Sequence, residues 1–485
     1  MTKSRMTLAA LALSATLISL IAMTAATASA GSLRTTFLLS RSYNGGIPNG
    51  ESRNGSISRD QRIARVAAFE SDASNIVRGD ENGATDVFMI KRGRGWGQNG
   101  TPWRLGKTTL ISKGLGGKPA NGPSYKPAVA GSSFNLPTCI AFVSEASNLV
   151  GNDTNDVADA FVYNFKNRRI TRVSVGSNGQ QANGPTTEVT VTANCGRIGF
   201  VSTATNLGYD GGGKSRWSTA AVSGGSGGHS QVYVHIRSGR FQHLTFMASA
   251  SNGKRAGNGD SYEVSFARYG NHVAFTSKST NLAGNDRDEG QDVYVRKFAK
   301  SSKLRFKTRL VSQKNGRRGN NESSHPAINE SGQFVAFQTD ASNILGGDSN
   351  RTTDIAQADL RTRRMQWVSK SIDGPANGAS GDPTITGGGE FVLFDSMATN
   401  LRPSRDIRFT RNGVQNFMLW NKPTRHVSVE SRDHNNEYLT GPSENPATSL
   451  RGNYVLFQSD TESVDRLIRN MLGFKQVYLR YLGPK

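Results

Sequence analysis

Four loops of this 485-residue chain share one pattern of acidic and amide side chains, Asp-x-Asp/Asn-x-x-x-Asp. The four sets are Asp80, Asn82 and Asp86; Asp153, Asn155 and Asp159; Asp286, Asp288 and Asp292; and Asp348, Asn350 and Asp354. Hard oxygen ligands at alternate positions of a loop are what Ca²⁺ requires. One interpretation is therefore a set of weak calcium loops, and Ca²⁺ is the single cofactor that the sequence suggests.

The same residues have a second interpretation, in which they stabilise turns and bind no metal. Asp and Asn side chains accept hydrogen bonds from nearby backbone N–H groups and so fix tight turns. In three related loops the final Asp is replaced by Gln231, Asn416 or Gln476, amides that keep hydrogen bonding but lack the charge of a calcium ligand. No loop has the twelve-residue spacing of an EF-hand. The comparison between loops favours turn formation over calcium.

Two long segments carry tryptophan beside cations. One is rich in glycine and the other in glycine and serine. The candidate binding residues are Trp96 and Trp103 in the first segment and Arg216 and Trp217 in the second. Exposed tryptophan beside arginine suits contact with a sugar or a peptide, and long loops on rigid scaffolds often bind ligands. The alternative is a flexible loop without a ligand.

Residues that commonly carry catalysis are present without the spacing that catalysis needs. The seven histidines form no HExxH or HxH pattern. Strings that match GxxxxGKS (208–215) and GxSxG (224–228) occur only inside the segment rich in glycine and serine, without the strand and helix that a P-loop or a nucleophile elbow needs on either side. The motifs therefore give no support to an enzyme.

Seven copies of one strand motif must position these loops. Each copy ends in Phe-x-Ser/Thr, and six of them continue two residues later with a Ser/Thr-Asn pair. The marker phenylalanines are Phe69, Phe142, Phe200, Phe275, Phe337, Phe394 and Phe457. Repeats at such a period indicate stacked or ring-shaped architectures.

Each unit contains four short stretches with the period-two alternation of β-strands. This predicts an all-β protein, a seven-bladed β-propeller with four-stranded antiparallel blades. The last unit ends after its third strand, and segment 35–41 supplies a matching fourth. We therefore expect the N-terminal strand to close the last blade and to remove an open edge. Six blades with an irregular end are the alternative, because the seventh unit lacks its Asn.

Basic residues gather in the turns between the third and fourth strands of four units. They are Lys91, Arg92, Arg94, Arg104, Lys107, Lys166, Arg168, Arg169, Arg296, Lys297, Lys300, Lys303, Arg305, Lys307, Arg361, Arg363 and Arg364. In a propeller these turns share one face and the acidic loops lie on the other, so we expect an electrically polar ring. A basic face attracts anionic partners through its long-range field. The alternative is a solvated surface that keeps the protein soluble.

Two units carry a resemblance to a known family. Residues 331–339 with 354–355, and residues 273–277 with 292–295, follow a Ser-Gly or Asn turn, a Val-Ala-Phe-x-Ser/Thr strand and an Asp-Ile/Val strand. At these residues the chain resembles the TolB-like propellers and their PD40 (WD40-like) repeats. The resemblance implies an exported or periplasmic propeller that binds other proteins or envelope components.

The first thirty residues have the features of a secretory signal peptide. Lys3 and Arg5 precede an apolar run that ends in an A-x-A signal at Ala30. We expect cleavage near Ala30, which leaves 31–485 as a single propeller domain in the periplasm or outside the cell. No later stretch approaches the roughly 18 apolar residues of a membrane span.

The chain has two cysteines, Cys139 and Cys195, near the first hairpins of adjacent units. In an exported protein a disulfide between them is one prediction, and two free thiols are the alternative. Two cysteines are too few for a multi-cysteine zinc or iron–sulfur site.

The leading functional prediction is an exported, non-enzymatic scaffold, a monomer, that binds a protein or an anionic envelope component or glycan. The net charge of +22 by itself suggests nucleic acid, but the predicted export argues against that partner. The alternative is a polysaccharide-active enzyme, a lyase or a glycosidase, in the central funnel, because propellers as a fold host such enzymes. A cluster of His, Arg and carboxylates at the ring axis would favour the enzyme.

Overall fold

The strands of the computed structural model form seven four-stranded antiparallel sheets, which confirms the all-β, seven-bladed propeller. The structure describes residues 34–60, 63–93, 103–207, 227–284, 289–300, 304–371, 374–401 and 413–483. The predicted signal peptide lies outside these residues. The six-bladed alternative is wrong, because the seventh unit forms a complete sheet with the N-terminal strand.

The chain runs through the blades in order, and the first described strand, β1 (Thr35–Leu38), belongs to the last blade. Blade 1 comprises β2 (Ser52–Ile57), β3 (Val66–Ser71), β4 (Asp86–Arg92) and β5 (Leu105–Leu110). Blade 2 follows a short 3-10 helix (Leu115–Gly117) and comprises β6 (Ser124–Val129), β7 (Cys139–Ser144), β8 (Asp159–Asn164) and β9 (Ile170–Arg172). Blade 3 comprises β10 (Thr186–Val191), β11 (Arg197–Ser202), β12 (Gln231–Ile236) and β13 (Thr245–Met247).

The later blades repeat this order, with short hairpins between some of them. Blade 4 comprises β14 (Ser261–Phe266), β15 (His272–Ser277), β16 (Asp292–Lys300) and β17 (Leu304–Leu310), followed by the hairpin β18 (Gln313–Lys314) and β19 (Arg317–Arg318). Blade 5 comprises β20 (Ser323–Ile328), β21 (Phe334–Thr339), β22 (Asp354–Asp359) and β23 (Arg364–Trp367), followed by β24 (Lys370–Ser371) and β25 (Gly374–Pro375). Blade 6 comprises β26 (Ser380–Ile385), β27 (Phe391–Ser396), β28 (Asn416–Asn421) and β29 (His426–Val429). Blade 7 comprises β30 (Glu444–Thr448), β31 (Tyr454–Ser459), β32 (Gln476–Tyr481) and β1.

The first strands of the blades line the central channel. Each contacts the first strand of the next blade in chain order, and β30 contacts β2 to complete the circle. In an antiparallel blade, the turns after the first and third strands lie at one end, and the loops after the second and fourth lie at the other. We call these ends the turn face and the loop face.

The core lies between the blades and is centred on the marker phenylalanines, which are 0–1% exposed. In five blades the marker ring stacks on the aromatic residue opposite it in the third strand, with centroids 5.6–5.9 Å apart. The pair Phe142 and Phe161 packs against Val66 and Val87 of the preceding blade. Both faces of each sheet are thus covered, and burial of these aromatic surfaces holds neighbouring blades together.

The N-terminal strand closes the ring. β1 pairs antiparallel with β32, from Thr35 opposite Tyr481 to Leu38 opposite Tyr478. The backbone N–H of Leu38 also donates to Asp465 Oδ2 at 2.7 Å. The last blade therefore has four strands, as the other six blades have.

A buried ion pair lies beside this closing strand. Arg480 and Glu430 have side chains that are 0% and 1% exposed, and Arg480 Nη2 is 3.4 Å from Glu430 Oε2. Arg480 also donates to Thr36 Oγ1 at 3.0 Å and to Asn436 Oδ1 at 2.6 Å. The pair thus links β1, β32 and the preceding blade.

A disulfide joins blades 2 and 3. Cys139 at the start of β7 is bonded to Cys195 in the turn between β10 and β11, with Cα atoms 6.2 Å apart. Cys195 has a φ of 57°, a backbone conformation that places the turn against the neighbouring blade. The bond links two adjacent blades and leaves no free thiol in the described chain.

We expect Glu430→Ala to destabilise the fold by about 3–5 kcal/mol, because it leaves the buried guanidinium of Arg480 without its counter-charge. Urea denaturation measures the change. Glu462→Ala is the matched control, because Glu462 pairs at 3.9 Å with Arg469 on the surface of the same blade and both side chains are exposed. Such a pair contributes at most about 1 kcal/mol. Equal losses in the two variants would contradict the closing role of Glu430.

Candidate functional site

The Ser/Thr-Asn pair of the repeat binds the Asn-containing turn that precedes its own blade. In blade 2, Asn121 Nδ2 donates to Ser147 Oγ at 2.9 Å, and its backbone N–H donates to Asn148 Oδ1 at 3.2 Å. The corresponding turn residues in blades 1, 3, 4, 5 and 6 are Asn49, Asn183, Asn258, Asn320 and Asn377. The most regular polar residues of the chain are therefore turn-forming.

The acidic loops are internal hydrogen-bonding clusters. In blade 5, Asn350 Nδ2 donates to Asp354 Oδ2 at 3.0 Å, and Ser369 Oγ donates to Asp354 Oδ1 at 2.5 Å. The same contacts join Asn82 and Ser112 to Asp86, and they join Asn155 and Ser174 to Asp159. The final Asp is 0% exposed in these three loops. These acids thus act inside the protein and add little negative charge to the loop face.

The amide replacements keep the same geometry. Ser249 Oγ donates to Gln231 Oε1 at 2.6 Å, and Ser40 Oγ donates to Gln476 Oε1 at 2.9 Å. Asp292 accepts from Ser312 in the same way, whereas Asp286 and Asp288 lie outside the described residues. Across the described ranges, no group of three or more His, Cys, Asp or Glu side chains is placed to hold a metal. Calcium binding stays a prediction for these loops.

The first Asp of the loop has different surroundings in different blades. Burial raises the pKa of Asp80 to about 7, and the hydrogen-bonded Asp86 carboxylate adds to the shift. At the equivalent position of blade 2, Asp153 Oδ1 is 2.7 Å from Arg172 Nη1, whose charge opposes the effect of burial. Blade 1 therefore contains a carboxyl pair that lacks the arginine of blade 2.

The variable residue of Phe-x-Ser/Thr joins neighbouring blades at the channel mouth of the loop face. Gln338 Oε1 accepts the backbone N–H of Asp382 in the next blade at 3.3 Å, and Asp395 Oδ2 accepts that of Asn445 at 2.9 Å. The other such pairs are Glu70 with Lys126 and Gln458 with Asn54. Each N–H belongs to a bulge of a first strand, where φ lies between 46° and 54°. The bulges thus bring polar side chains together around the mouth.

One side of this mouth carries an imidazole between carboxylates. His325 Nε2 is 3.0 Å from Glu263 Oε1 and 3.3 Å from Asp382 Oδ1. Glu188 Oε2 accepts the backbone N–H of Glu263 at 2.8 Å. Burial raises the pKa of Glu188, an effect that Lys126 opposes and Glu263 reinforces. The arrangement could hold and transfer a proton at the imidazole.

Sequence reasoning missed this cluster, although a signal was present. A polar or charged residue directly precedes proline in the first strands of four units. The four residues are Lys126, His325, Asp382 and Asn445. Aligning the first strands rather than the marker strands would have placed these residues at one height of the channel.

The opposite end of the channel is narrowed by an ion pair. Glu330 Oε2 accepts hydrogen bonds from Arg268 Nε at 3.0 Å and from Ser133 Oγ at 3.1 Å. Arg268 Nη2 also contacts Glu330 and donates to Ser133 Oγ at 2.6 Å. The three residues come from three different blades. They separate a cavity of about 170 Å³ inside the channel from one of about 570 Å³ on the turn face.

The turn face carries many exposed cations. They are Lys91, Arg104, Lys107, Lys166, Arg168, Arg169, Arg240, Lys297, Lys307, Arg361, Arg363, Arg364, Arg425 and Arg451. In the described parts of these turns and strand ends, Glu390 is the one exposed acidic residue, Asp359 is half-buried, and Asp60 and Glu330 are buried. The predicted basic surface is therefore present.

The loop face is mixed rather than acidic, because it also exposes Arg255, Lys278, Arg317 and Arg351.

Trp103, the tryptophan of the long loops that the structure describes, is not at the exposed position expected. Trp103 is 4% exposed, and its Nε1 donates to the carbonyl oxygens of Ile63 and Ala64 at 3.2 and 2.5 Å. Its indole therefore completes the core of blade 1 and does not face a ligand. Trp96, Arg216 and Trp217 lie outside the described residues. The exposed aromatic side chain near the channel is Phe134, which lies under the Arg268 guanidinium at 4.6 Å.

Two further cations that the sequence predicts on the turn face are partly or wholly buried inside the protein. Arg296 is 2% exposed and donates to Thr308 Oγ1 at 2.6 Å and to the carbonyl of Ala250. Burial lowers the pKa of Arg296 to about 9. Arg92 is half-buried and donates to Ile63 O at 2.6 Å. Long side chains in these strands therefore divide between surface charge and internal hydrogen bonds.

No protein family model matches the chain, and no curated protein is similar to it in sequence. Solved structures with a similar arrangement include oligogalacturonate lyase from Vibrio parahaemolyticus, with 9% identity, a TM-score of 0.47, and 93% of this chain and 97% of that chain covered. Pyrococcus horikoshii acylaminoacyl peptidase has 10% identity, a TM-score of 0.46, and 89% and 51% covered. TolB from Acinetobacter baumannii has 10% identity, a TM-score of 0.34, and 76% and 82% covered. None of these similarities assigns an activity to this chain.

We expect Asp80→Asn to stabilise the protein at pH 8 by roughly 2 kcal/mol and to have no effect near pH 4. The raised pKa means that the folded state binds the Asp80 proton more tightly than the unfolded state. Wild-type stability therefore falls as pH rises from about 4 through 7, and the amide removes that loss. Melting temperature against pH measures the effect.

Asp153→Asn is the matched control for this prediction. Arg172 also pairs with Asp159, and its charge offsets part of the burial that raises the pKa of Asp153, so we expect a smaller gain in stability at pH 8 than for Asp80→Asn. A destabilised Asp80→Asn variant would contradict the carboxyl-pair interpretation. A rise in melting temperature with Ca²⁺ that the wild type shows and Asp80→Asn lacks would instead assign the loop to calcium.

Proposed function

We propose that this chain is an exported, non-enzymatic binding scaffold whose turn face binds an anionic glycan or another anionic envelope component. The observation that carries the proposal is the excess of exposed Lys and Arg over the single exposed acid, Glu390, in the described part of that face. A one-signed surface of this size raises the local concentration of anionic partners. The described residues contain no helix with the length and hydropathy needed to span a bilayer.

The cavity on the turn face offers a place for one anionic unit of such a ligand. Arg451 lies at its rim, is exposed, and makes no hydrogen bond or ion pair with other described residues. Phe334 and Phe391 line it with apolar surface, and Glu390, whose carboxylate lies against Gly388, is the exposed acid in its lining. A guanidinium beside aromatic surface suits a sugar ring that carries an acidic group.

We expect a triple variant, Arg361→Glu, Arg364→Glu and Arg451→Glu, to lose at least about tenfold in affinity for immobilised heparin at 0.1 M salt. Heparin serves as the anionic glycan probe. The matched control changes three exposed cations of the loop face, Arg255→Glu, Lys278→Glu and Arg317→Glu, with the same change in net charge. Elution salt concentration and direct titration measure both variants.

The control triple variant should lose no more than about twofold, since its charges face away from the ligand. Equal losses would show that net charge alone drives binding and would contradict a turn-face site. Capture from envelope extracts over a salt series extends the test to natural partners. Preferential binding of duplex DNA over the glycan would overturn the assignment of the partner.

His325 supports a second candidate function, a polysaccharide-active enzyme at the loop-face mouth. Its imidazole touches two carboxylates, an arrangement that can accept a proton from a bound hydroxyl group. The negative charge of Glu188, Glu263 and Asp382 repels a polyanion. This candidate therefore favours a neutral polysaccharide and uses the opposite face from the binding site above.

For the enzyme candidate, wild-type protein should release reducing ends from a neutral polysaccharide, and His325→Gln should release at least about 100-fold fewer. His426→Gln, which changes an exposed histidine at the start of β29 in blade 6, is the matched control and should retain full release. A panel of neutral and acidic polysaccharides covers the substrate classes. No release above background by the wild type would remove this candidate and leave the scaffold.

A further inference from the structure

The channel contains a cavity of about 170 Å³ between its two charged ends. Its walls are small side chains from the first strands of the blades. They include Ser56, Ala128, Thr190, Ser265, Thr384 and Ala447. Such walls are polar through their hydroxyl groups but carry no charge.

Three charged residues also line this cavity, namely Arg59 and the paired Arg268 and Glu330, and we consider Arg59 first. It lies in the turn between β2 and β3, directly after the first strand of blade 1. Within the described ranges its side chain makes no hydrogen bond and no ion pair. Its accessible part therefore faces the space in the channel.

The acids near Arg59 are already occupied. Asp60 is 0% exposed and is bound by Arg65 Nη1 at 2.6 Å and by Ser58 Oγ at 2.5 Å. Glu330 acts on Arg59 through its charge, but its oxygens accept hydrogen bonds from Arg268 and Ser133. The carboxylate of Glu330 is thus the counter-charge of two guanidinium groups, those of Arg268 and Arg59. About one positive charge stays without a counter-charge in the described part of the channel.

An enclosed charge without a partner is costly, and proteins compensate it with a counter-charge. Burial lowers the pKa of Arg59, and Glu330 opposes that shift only in part. Hydroxyl donors surround the same space. Ser56 Oγ accepts the backbone N–H of Val129 at 3.1 Å, and Ser265 Oγ accepts that of Ile328 at 3.2 Å. Each hydroxyl therefore keeps its own proton to donate.

We propose that the central channel binds a small anion, held by the Arg59 guanidinium and by the hydroxyl groups of the first strands. The volume admits chloride, phosphate or a small carboxylate together with a few water molecules, at about 30 Å³ each. The site is separate from the turn-face cavity, because the Arg268–Glu330 pair lies between the two. It bridges blades that are otherwise distant in sequence, so occupation should stabilise the ring.

The test follows the melting temperature of the full protein as gluconate, a large reference anion, is replaced by chloride, phosphate or acetate at constant sodium concentration. We expect at least one small anion to raise the melting temperature by about 3 °C or more and to saturate. The three arms distinguish the anions. Arg59→Met should abolish the response, whereas Arg255→Met, which changes an exposed loop-face cation outside both cavities, should keep it.

A crystal soaked in bromide gives a readout that needs no variant. An anomalous peak beside Arg59 supports the site, and none there overturns it. Equal responses in Arg59→Met and Arg255→Met, or no response in the wild type, would also overturn it. Failure of the glycan-binding tests leaves this result untouched, since they concern the turn face.

Discussion

The structure depends on one constraint, namely that a sheet-based ring must be closed by a strand from the far end of the chain. β1 pairs with β32 and rests beside the buried Arg480–Glu430 pair. That pairing gives the last blade its fourth strand, and the contact of β30 with β2 completes the wall of first strands. The channel, its two charged ends and the cavity between them exist only because the circle is complete.

Repetition and variation have separate roles in this chain. The residues that recur in every unit, such as the marker phenylalanines and the Asn-containing turns, are buried or bonded within their own blade. The residues that vary meet around the axis, where each blade contributes one side chain at the same height. His325, Glu263 and Asp382 come together there because three different units place unlike residues at one bulge. The residues that differ between blades are therefore concentrated around the axis of the channel.

The distribution of charge between the turn face and the loop face follows from the topology of the blades, not from the amino-acid composition. The antiparallel blade sends its first and third turns to one end, so cations spread along the sequence gather on a single face. Many acids instead satisfy buried hydroxyl groups, as Asp354 does with Ser369. The net charge therefore overstates the basicity of the loop face and understates that of the turn face. Long-range attraction of anionic partners would therefore act at the turn face.

The sequence by itself determined the all-β class, the seven blades and the closing N-terminal strand, because these follow from the period of Phe69 and its six counterparts and from local alternation. It also indicated that the final Asp of each loop forms turns, since Gln231 and Gln476 replace it without loss of hydrogen bonding. Only the tertiary structure decided that Trp103 is core, that the carboxylates of Glu263 and Asp382 share one imidazole, and that Arg59 faces the cavity in the channel. The physical reason is that burial and axial contact depend on which residues of distant units share a height in the ring. Spacing along one chain does not contain that information.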